Sequence, residues 1–215
     1  MTSRTLQSDF SAADFRHRAL NQIGAPLEHA WREHGDHLLN PETLAEIEGI
    51  QLKDAAVLVP VVDDGDEGAK VILTQRTTRL RKHSGQIAFP GGGIDDTDVS
   101  PEEAALREAQ EEIGLDPAYV ETVGRLPQYL SATGFRIIPV LSVVSRGFTI
   151  TPNPHEVESV FEVPLSFLMN PENHQRDSRD WRGILRHYYV MPYGERYIWG
   201  ITAGIIRTLY ERLYA

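Results

Sequence analysis

Apolar residues recur along this chain in two rhythms, and the change of rhythm divides it. Through residues 1–50 the apolar positions are sparse and spaced for helices. Asp9 or Ser11 can cap a segment through Phe15, Leu20 and Ile23 that Gly24 and Pro26 stop, and Pro41-Glu42-Thr43-Leu44 can open a second short helix. From Asp54 the period becomes that of strands. Ala55 to Val62 reads as a buried strand, Asp63 to Gly68 as a turn, and Lys70 to Gln75 as a second strand, which together predict a hairpin. Val120 to Leu126, Phe135 to Ser145 and Ile184 to Met191 are further strands, the last with Tyr197 to Trp199 as its partner, and Gln128 to Gly134 is a loop. Pro139 lies inside the apolar run of the second of these. It has no N–H to give a ladder, so it has to sit at an edge or a bulge. Ile201, Ile205, Leu209 and Leu213 recur every four residues and predict a C-terminal amphipathic helix.

A second well-marked helix carries the candidate chemistry. Phe89 to Leu115 reads FPGGGIDDTDVSPEEAALREAQEEIGL. Ser100 is a good N-cap, Pro101 suits the first helical position, Glu103 completes a capping box, and Gly114 follows Ile113 as the terminating residue. Within the helix Glu108, Glu111 and Glu112 stand at i, i+3 and i+4, so they share one face, while Leu106, Ala109 and Ile113 lie opposite and can pack into a core. Adjacent carboxylates repel, and a hard divalent cation such as Mg²⁺ or Mn²⁺, which takes oxygen ligands, would remove that cost. A solvated acidic face is the alternative. The preceding Gly91, Gly92 and Gly93 read as a turn that lets backbone approach a phosphate-sized group closely. Strands interspersed with marked helices agree with an α/β or α+β domain.

Composition narrows the function. The 215 residues fit one moderate domain with an extension, and 41% hydrophobic and 24% charged residues are ordinary for a globular protein. A net charge of −10 argues against a nucleic-acid partner, whose phosphates want a basic surface, but not against a small anion held by a cation and a local basic patch. With no cysteine, disulfides, thiolate metal sites and a cysteine nucleophile are excluded. No apolar run has the length of a membrane span and MTSRTLQSDF has no apolar signal core, so a cytoplasmic enzyme is expected. His29, His34 and His37 are loosely spaced without accompanying carboxylates and read as solvent-exposed rather than metal-binding.

Arg107 to Leu115, REAQEEIGL, resembles the second half of the Nudix box, G-x5-E-x7-R-E-U-x-E-E-x-G-U with U aliphatic. The first half departs from it. Counting back from Arg107 places Gly93 correctly but puts Val99 at the glutamate. Counting forward from Gly92 reaches Asp98 and leaves a spacer one residue too long. The box is therefore either expanded by one residue or lacks that acid. Upstream, LTQRTTRLRKHSGQIAFPGG, Leu73 to Gly92, resembles the motif that marks the coenzyme A pyrophosphatase branch of the family, as do the Asn153-to-Leu165 element and Trp199 to Gly204.

The resemblance covers about residues 54 to 204. It implies the Nudix α/β/α sandwich with a mixed sheet over 51–215; residues 1–50, read from their own caps and periodicity, form an N-terminal helical extension that can serve as a homodimer contact or a cover over the core. It implies metal-dependent hydrolysis of the pyrophosphate of coenzyme A or a derivative, with Mg²⁺ or Mn²⁺ on Glu108, Glu111 and Glu112. Arg107 orients a box glutamate, and Glu111, Glu112 or Glu156 is the general base. Arg76, Arg79, Arg81, Lys82, Gly91 and Gly92 are the candidate substrate contacts. Another Nudix pyrophosphatase acting on ADP-ribose or NADH, and a non-catalytic Nudix-like nucleotide sensor, are the rival readings.

Overall fold

The computed structural model describes residues 9–48, 50–65, 68–78, 85–181 and 183–215. The chain begins with helices α1 (Ala12–Leu20), α2 (Leu27–Ala30) and α3 (Glu42–Glu48). Ser11 caps α1 by accepting from the Asp14 N–H at 3.1 Å. The helix stops at Leu20, short of the expected Ile23, because Asn21 leaves the helical region and its side chain donates back to the His17 carbonyl at 2.8 Å. Strands β1 (Lys53–Val62), β2 (Lys70–Arg76), β3 (Ile87–Ala88) and β4 (Gly91–Gly93) precede helix α4 (Pro101–Ile113). Then come β5 (Val120–Arg125), β6 (Tyr129–Ser131), β7 (Phe135–Val144), β8 (Val157–Pro164) and the short α5 (Leu165–Leu168). A separate three-stranded sheet of β9 (Gln175–Trp181), β10 (Ile184–Tyr193) and β11 (Arg196–Trp199) leads into α6 (Ile201–Leu213).

The main sheet is mixed and runs β3-β2-β1-β7-β5, with β8 on β2, β4 on β1 and β6 on β7. β1 and β2 form the expected antiparallel hairpin, and β1 runs parallel to β7 from Lys53↔Phe135 to Val62↔Val144. Side chains alternate across the sheet, so each strand feeds two cores. Ala55, Val59 and Val61 join Leu73, Leu141 and Val143 under α1 and α6, where Phe15, Ile205, Ile206 and Leu209 are buried. Ala56, Leu58 and Val62 join Ile72, Val140 and Val144 under Ala104, Ala105, Ala109 and Ile113 of α4. Each fully buried large aliphatic side chain contributes roughly 1.5–3 kcal/mol. Helices on both faces of a mixed sheet make the α/β/α sandwich, with the N-terminal helices present.

Pro139 sits in a central strand, at a break in its partner. β6 pairs β7 up to Ile137 and β5 takes over at Val140, while the Pro139 carbonyl accepts from the Leu126 N–H at 2.9 Å. The missing N–H faces the gap between those two strands, where no ladder bond is required. Part of the expected Gln128–Gly134 loop is therefore strand. His37 corrects the exposed-histidine expectation: it is 4% exposed beside Trp31, and burial lowers its pKa. His34 meets Glu211 at 2.7 Å, and His29 alone of these is exposed as expected. The connection before α3 grips the second sheet, since the Asn40 side chain donates to the His187 carbonyl and accepts from its N–H, both at 2.8 Å.

Candidate active site

Helix α4 starts and stops as its sequence requires. The Ser100 hydroxyl accepts from the Glu103 N–H at 3.2 Å, Glu103 accepts from the Val99 N–H at 2.7 Å, and Gly114 turns left-handed at φ 68°. Two carbonyls of the last turn are then taken by the segment that follows β7: Thr151 N–H donates to Ile113 and Asn153 N–H to Glu112, both at 2.8 Å. This clasp carries Glu156 to the helix. Its carboxylate accepts from the Asn153 side chain at 3.2 Å, and its charge adds to the rise that burial causes in the pKa of both Glu108 and Glu112. Asn153 opens the Asn153-to-Leu165 element, and its part in the site is to hold Glu156. Its local signal is an Asn-Pro-His turn, which the structure realises as an Asn153 Oδ1 bond from the His155 N–H at 3.1 Å.

The glycines are a strand rather than a turn. Gly91, Gly92 and Gly93 pair antiparallel with Val57, Ala56 and Ala55, which holds them extended against β1. A Cβ on Gly91, at φ 154°, would lie 2.4 Å from the Ala56 carbonyl oxygen, so only glycine fits. Its N–H donates to Glu112 Oε2 at 3.1 Å. A Cβ on Gly92 would lie 2.5 Å from the Glu108 carboxylate, so β4 and that carboxylate are packed against each other.

Glu112 is the most enclosed acid on α4. Its side chain is 3% exposed and its Oε1 accepts from Arg76 Nη1 at 3.2 Å. Burial pushes the carboxyl up to about 7 against the pull of the Gly91 N–H and Arg76, and the charges of Glu108 and Glu156 add to the rise. Glu108 is also raised, first by burial, with Arg107 opposing. Glu111 shares their helix face but is 58% exposed.

Arg107 ties the group together. It donates to Asp98 at 3.0 and 2.9 Å, to the Gly93 carbonyl at 3.1 Å, to Glu108 at 3.1 Å and to Glu111 at 3.4 Å. The Asp98 side chain is almost wholly enclosed, and the arginine holds its carboxyl below the usual range. Of the two positions open in the sequence, Asp98, reached by the longer spacing, is the acid that meets Arg107, while Val99 is exposed and carries no carboxylate.

Arg76 ends β2 at Glu112. Its N–H donates to the Gln86 carbonyl at 2.9 Å and its carbonyl accepts from Gly85 at 3.1 Å, so these two residues are held beside the buried acid. Arg79, Arg81 and Lys82 lie outside the described residues. Among the described residues no three acidic or histidine side chains are already drawn together as a closed metal cage. The donors available on α4 are nonetheless all carboxylate oxygens, two of them with their charged form disfavoured by burial and mutual repulsion. A hard divalent cation suits that set, with Glu108, Glu111 and Glu112 as the side chains that could hold it.

The NUDIX domain family model matches residues 52–182. An uncharacterized Nudix hydrolase NudL of Citrobacter koseri is 42% identical over 172 residues, 80% of this chain and 88% of that protein. The Escherichia coli K12 protein of the same name is 40% identical over the same shares. Among solved structures, the NUDIX domain of Shewanella oneidensis NrtR, complexed with ADP ribose, superposes with a TM-score of 0.42 at 26% identity, covering 59% of this chain and 83% of that one.

Proposed function

The chain belongs to the Nudix domain family and is a Nudix hydrolase acting on a nucleoside diphosphate derivative; from that premise we propose that its substrate is coenzyme A or a close derivative. Hydrolysis of the pyrophosphate then gives adenosine 3′,5′-bisphosphate and 4′-phosphopantetheine. The observation that supports the reading is that the described ends of the Leu73-to-Gly92 motif meet beside the carboxylates of α4. Arg76 bonds Gly85 and Gln86 of that motif through its backbone and the buried Glu112 through its side chain.

The residues divide the work as follows. Glu108, Glu111 and Glu112 hold Mg²⁺ or Mn²⁺, which when bound neutralises diphosphate charge and acidifies water. Arg107, fixed by Asp98, orients Glu108 and Glu111. Glu111, Glu112 or Glu156 takes the proton from the attacking water. Gly91 and Gly92 keep the backbone close to where the diphosphate lies, and Arg76, Arg79, Arg81 and Lys82 meet its phosphates. A cytoplasmic setting and a homodimer belong to the same reading. No described helix is long and apolar enough to cross a membrane.

The purified protein with Mg²⁺ or Mn²⁺ and a panel of diphosphates, products identified by mass, tests the assignment. Coenzyme A should be cut to the two named products. Faster cleavage of ADP-ribose or NADH with coenzyme A untouched would move the substrate elsewhere in the family. Binding of nucleotide with no cleavage of any member would favour the sensor.

A finer test reads the 3′-phosphate. Arginine binds phosphate through paired charge-assisted bonds, so Arg79→Ala or Arg81→Ala should lower kcat/KM for coenzyme A more than for dephospho-coenzyme A, by roughly tenfold in the ratio. Equal losses on both substrates would assign these side chains to the diphosphate or to the fold.

A further inference from the structure

Strand β9 is the edge of the second sheet. β10 lines one side of it and, among the described residues, no strand lines the other. All of Gln175–Trp181 is exposed. Charges on an edge strand ordinarily keep other strands away. Here their order, Gln-Arg-Asp-Ser-Arg-Asp-Trp, does something more specific. We propose that β9 is a pairing edge for a second copy of this chain, the two strands running antiparallel about a two-fold axis at Ser178.

The backbone is set for that axis. Opposite residues of an antiparallel pair either bond each other or both turn outward. Ser178 is opposite His187, whose N–H and carbonyl are both taken by Asn40 on the far side of β10. Ser178 therefore turns its own N–H and carbonyl to the open edge, as do Arg176 and Asp180 two residues away on either side. In the single chain the Ser178 N–H is closed on Asp177 Oδ1 at 2.7 Å, a local bond that pairing exchanges for the second copy's carbonyl.

The charges fix the register. With the axis at Ser178, Arg176 lies opposite Asp180 and Asp177 opposite Arg179, each twice by symmetry, so every charge on the strand meets its opposite. Sliding the strands by one residue sets Arg176 against Arg179 in one direction and Asp177 against Asp180 in the other. Moving the axis to residue 177 or 179 sets Asp177 or Arg179 against itself. Opposite charges facing each other across strands are favourable and like charges are not, so the edge refuses every neighbouring register and accepts one. The same pairing places Trp181 opposite Gln175 of the second copy. Trp181, 54% exposed, then lies against the second copy's strand instead of in water.

Sedimentation of the full-length protein over a concentration series tests this by charge exchange. The native chain should associate to a dimer. Arg179→Asp sets aspartate against aspartate twice, and Asp177→Arg sets arginine against arginine twice. Each should weaken self-association roughly tenfold or more. Arg179→Asp should not lower the thermal midpoint, since residue 179 faces Arg186 on β10, and Asp177→Arg should lower it only by the one exposed bond that Asp177 accepts from the Tyr197 hydroxyl at 3.0 Å. Mixing the two variants sets a strand with aspartate at both positions against a strand with arginine at both. That mixture should restore a dimer, and the double exchange Asp177→Arg with Arg179→Asp should restore it in one chain. A native chain that stays monomeric, single variants that dimerise as well as the native protein, or a mixture that fails to associate would each overturn the proposal.

Discussion

Two regions of this molecule are written in the same letters, acids and arginines a few residues apart, and come to opposite electrostatic ends. On α4 and the loop before it, Asp98, Arg107, Glu108 and Glu112 are drawn in against a sheet. Glu112 is 3% exposed, and its charge is opposed by its surroundings. On β9, Arg176, Asp177, Arg179 and Asp180 all lie in water. The site concentrates negative charge where solvent cannot screen it, and so calls for a cation. The edge spreads balanced charge where solvent does screen it, and so calls only for a partner with the complementary order. Residue type sets neither role; burial sets the first and register the second.

Neutralising the buried acid should break the contrast most sharply. Glu112→Gln keeps an acceptor for the Gly91 N–H and removes the charge. Turnover with Mg²⁺ should fall by roughly a hundredfold or more if this oxygen holds the cation. Stability of the metal-free protein should move the other way. The folded carboxyl sits near 7, above the ordinary value of 4.5, so it contributes stability at low pH that is lost as pH rises through 7. The metal-free variant should accordingly match or exceed the parent's thermal midpoint at pH 8. Near-normal turnover at saturating metal would remove Glu112 from the site.

How much is legible in the sequence differs between the regions. The capped helix, its carboxylate face, the β1–β2 hairpin and α6 all carry their own periodicity, and the structure has them within a residue or two. The spacing of the first box acid stays open in the sequence because it depends on a three-dimensional meeting of Asp98 with Arg107. β4 reads as a turn since glycines carry no pattern, and it is the ladder with Ala55–Val57 that makes it a strand. β9 is invisible because a strand exposed on both faces has no apolar alternation to report it. His37 is misplaced for the reverse reason: a polar residue buried by tertiary packing leaves no local trace.

Neighbouring glycines give a smaller and finer probe of crowding at the acids. A Cβ on Gly92 would meet the Glu108 carboxylate at 2.5 Å, whereas one on Gly93 meets nothing within 4 Å. The obstacle at Gly92 is the far end of a flexible side chain, so the fold should survive while Glu108 is displaced. Gly92→Ala should lower kcat by about tenfold or more, and Gly93→Ala should stay within about twofold of the parent, with similar melting for both. Equal activities would mean that the position of Glu108 against β4 does not matter to the reaction.

The smallest effect belongs to an ion pair that shares neither region's circumstances. Arg136 and Asp54 face each other across the parallel β1–β7 ladder, bonded at 2.5 and 2.6 Å, with side chains 43% and 41% exposed. The guanidinium holds the aspartate below its ordinary 3.8, so the pair's contribution is present above that pH and fades as pH falls through the lowered value. Exposure on this scale limits such a pair to roughly 0.2–1 kcal/mol, which in a domain of this size is a shift of at most about 4 °C in midpoint. Asp54→Asn should therefore melt slightly lower than the parent at neutral pH, and the gap should close in acid and shrink with salt. A loss as large as that expected from disturbing the buried acids, or one indifferent to salt, would show that exposure is not what separates a charge that shapes the site from one that merely decorates a strand.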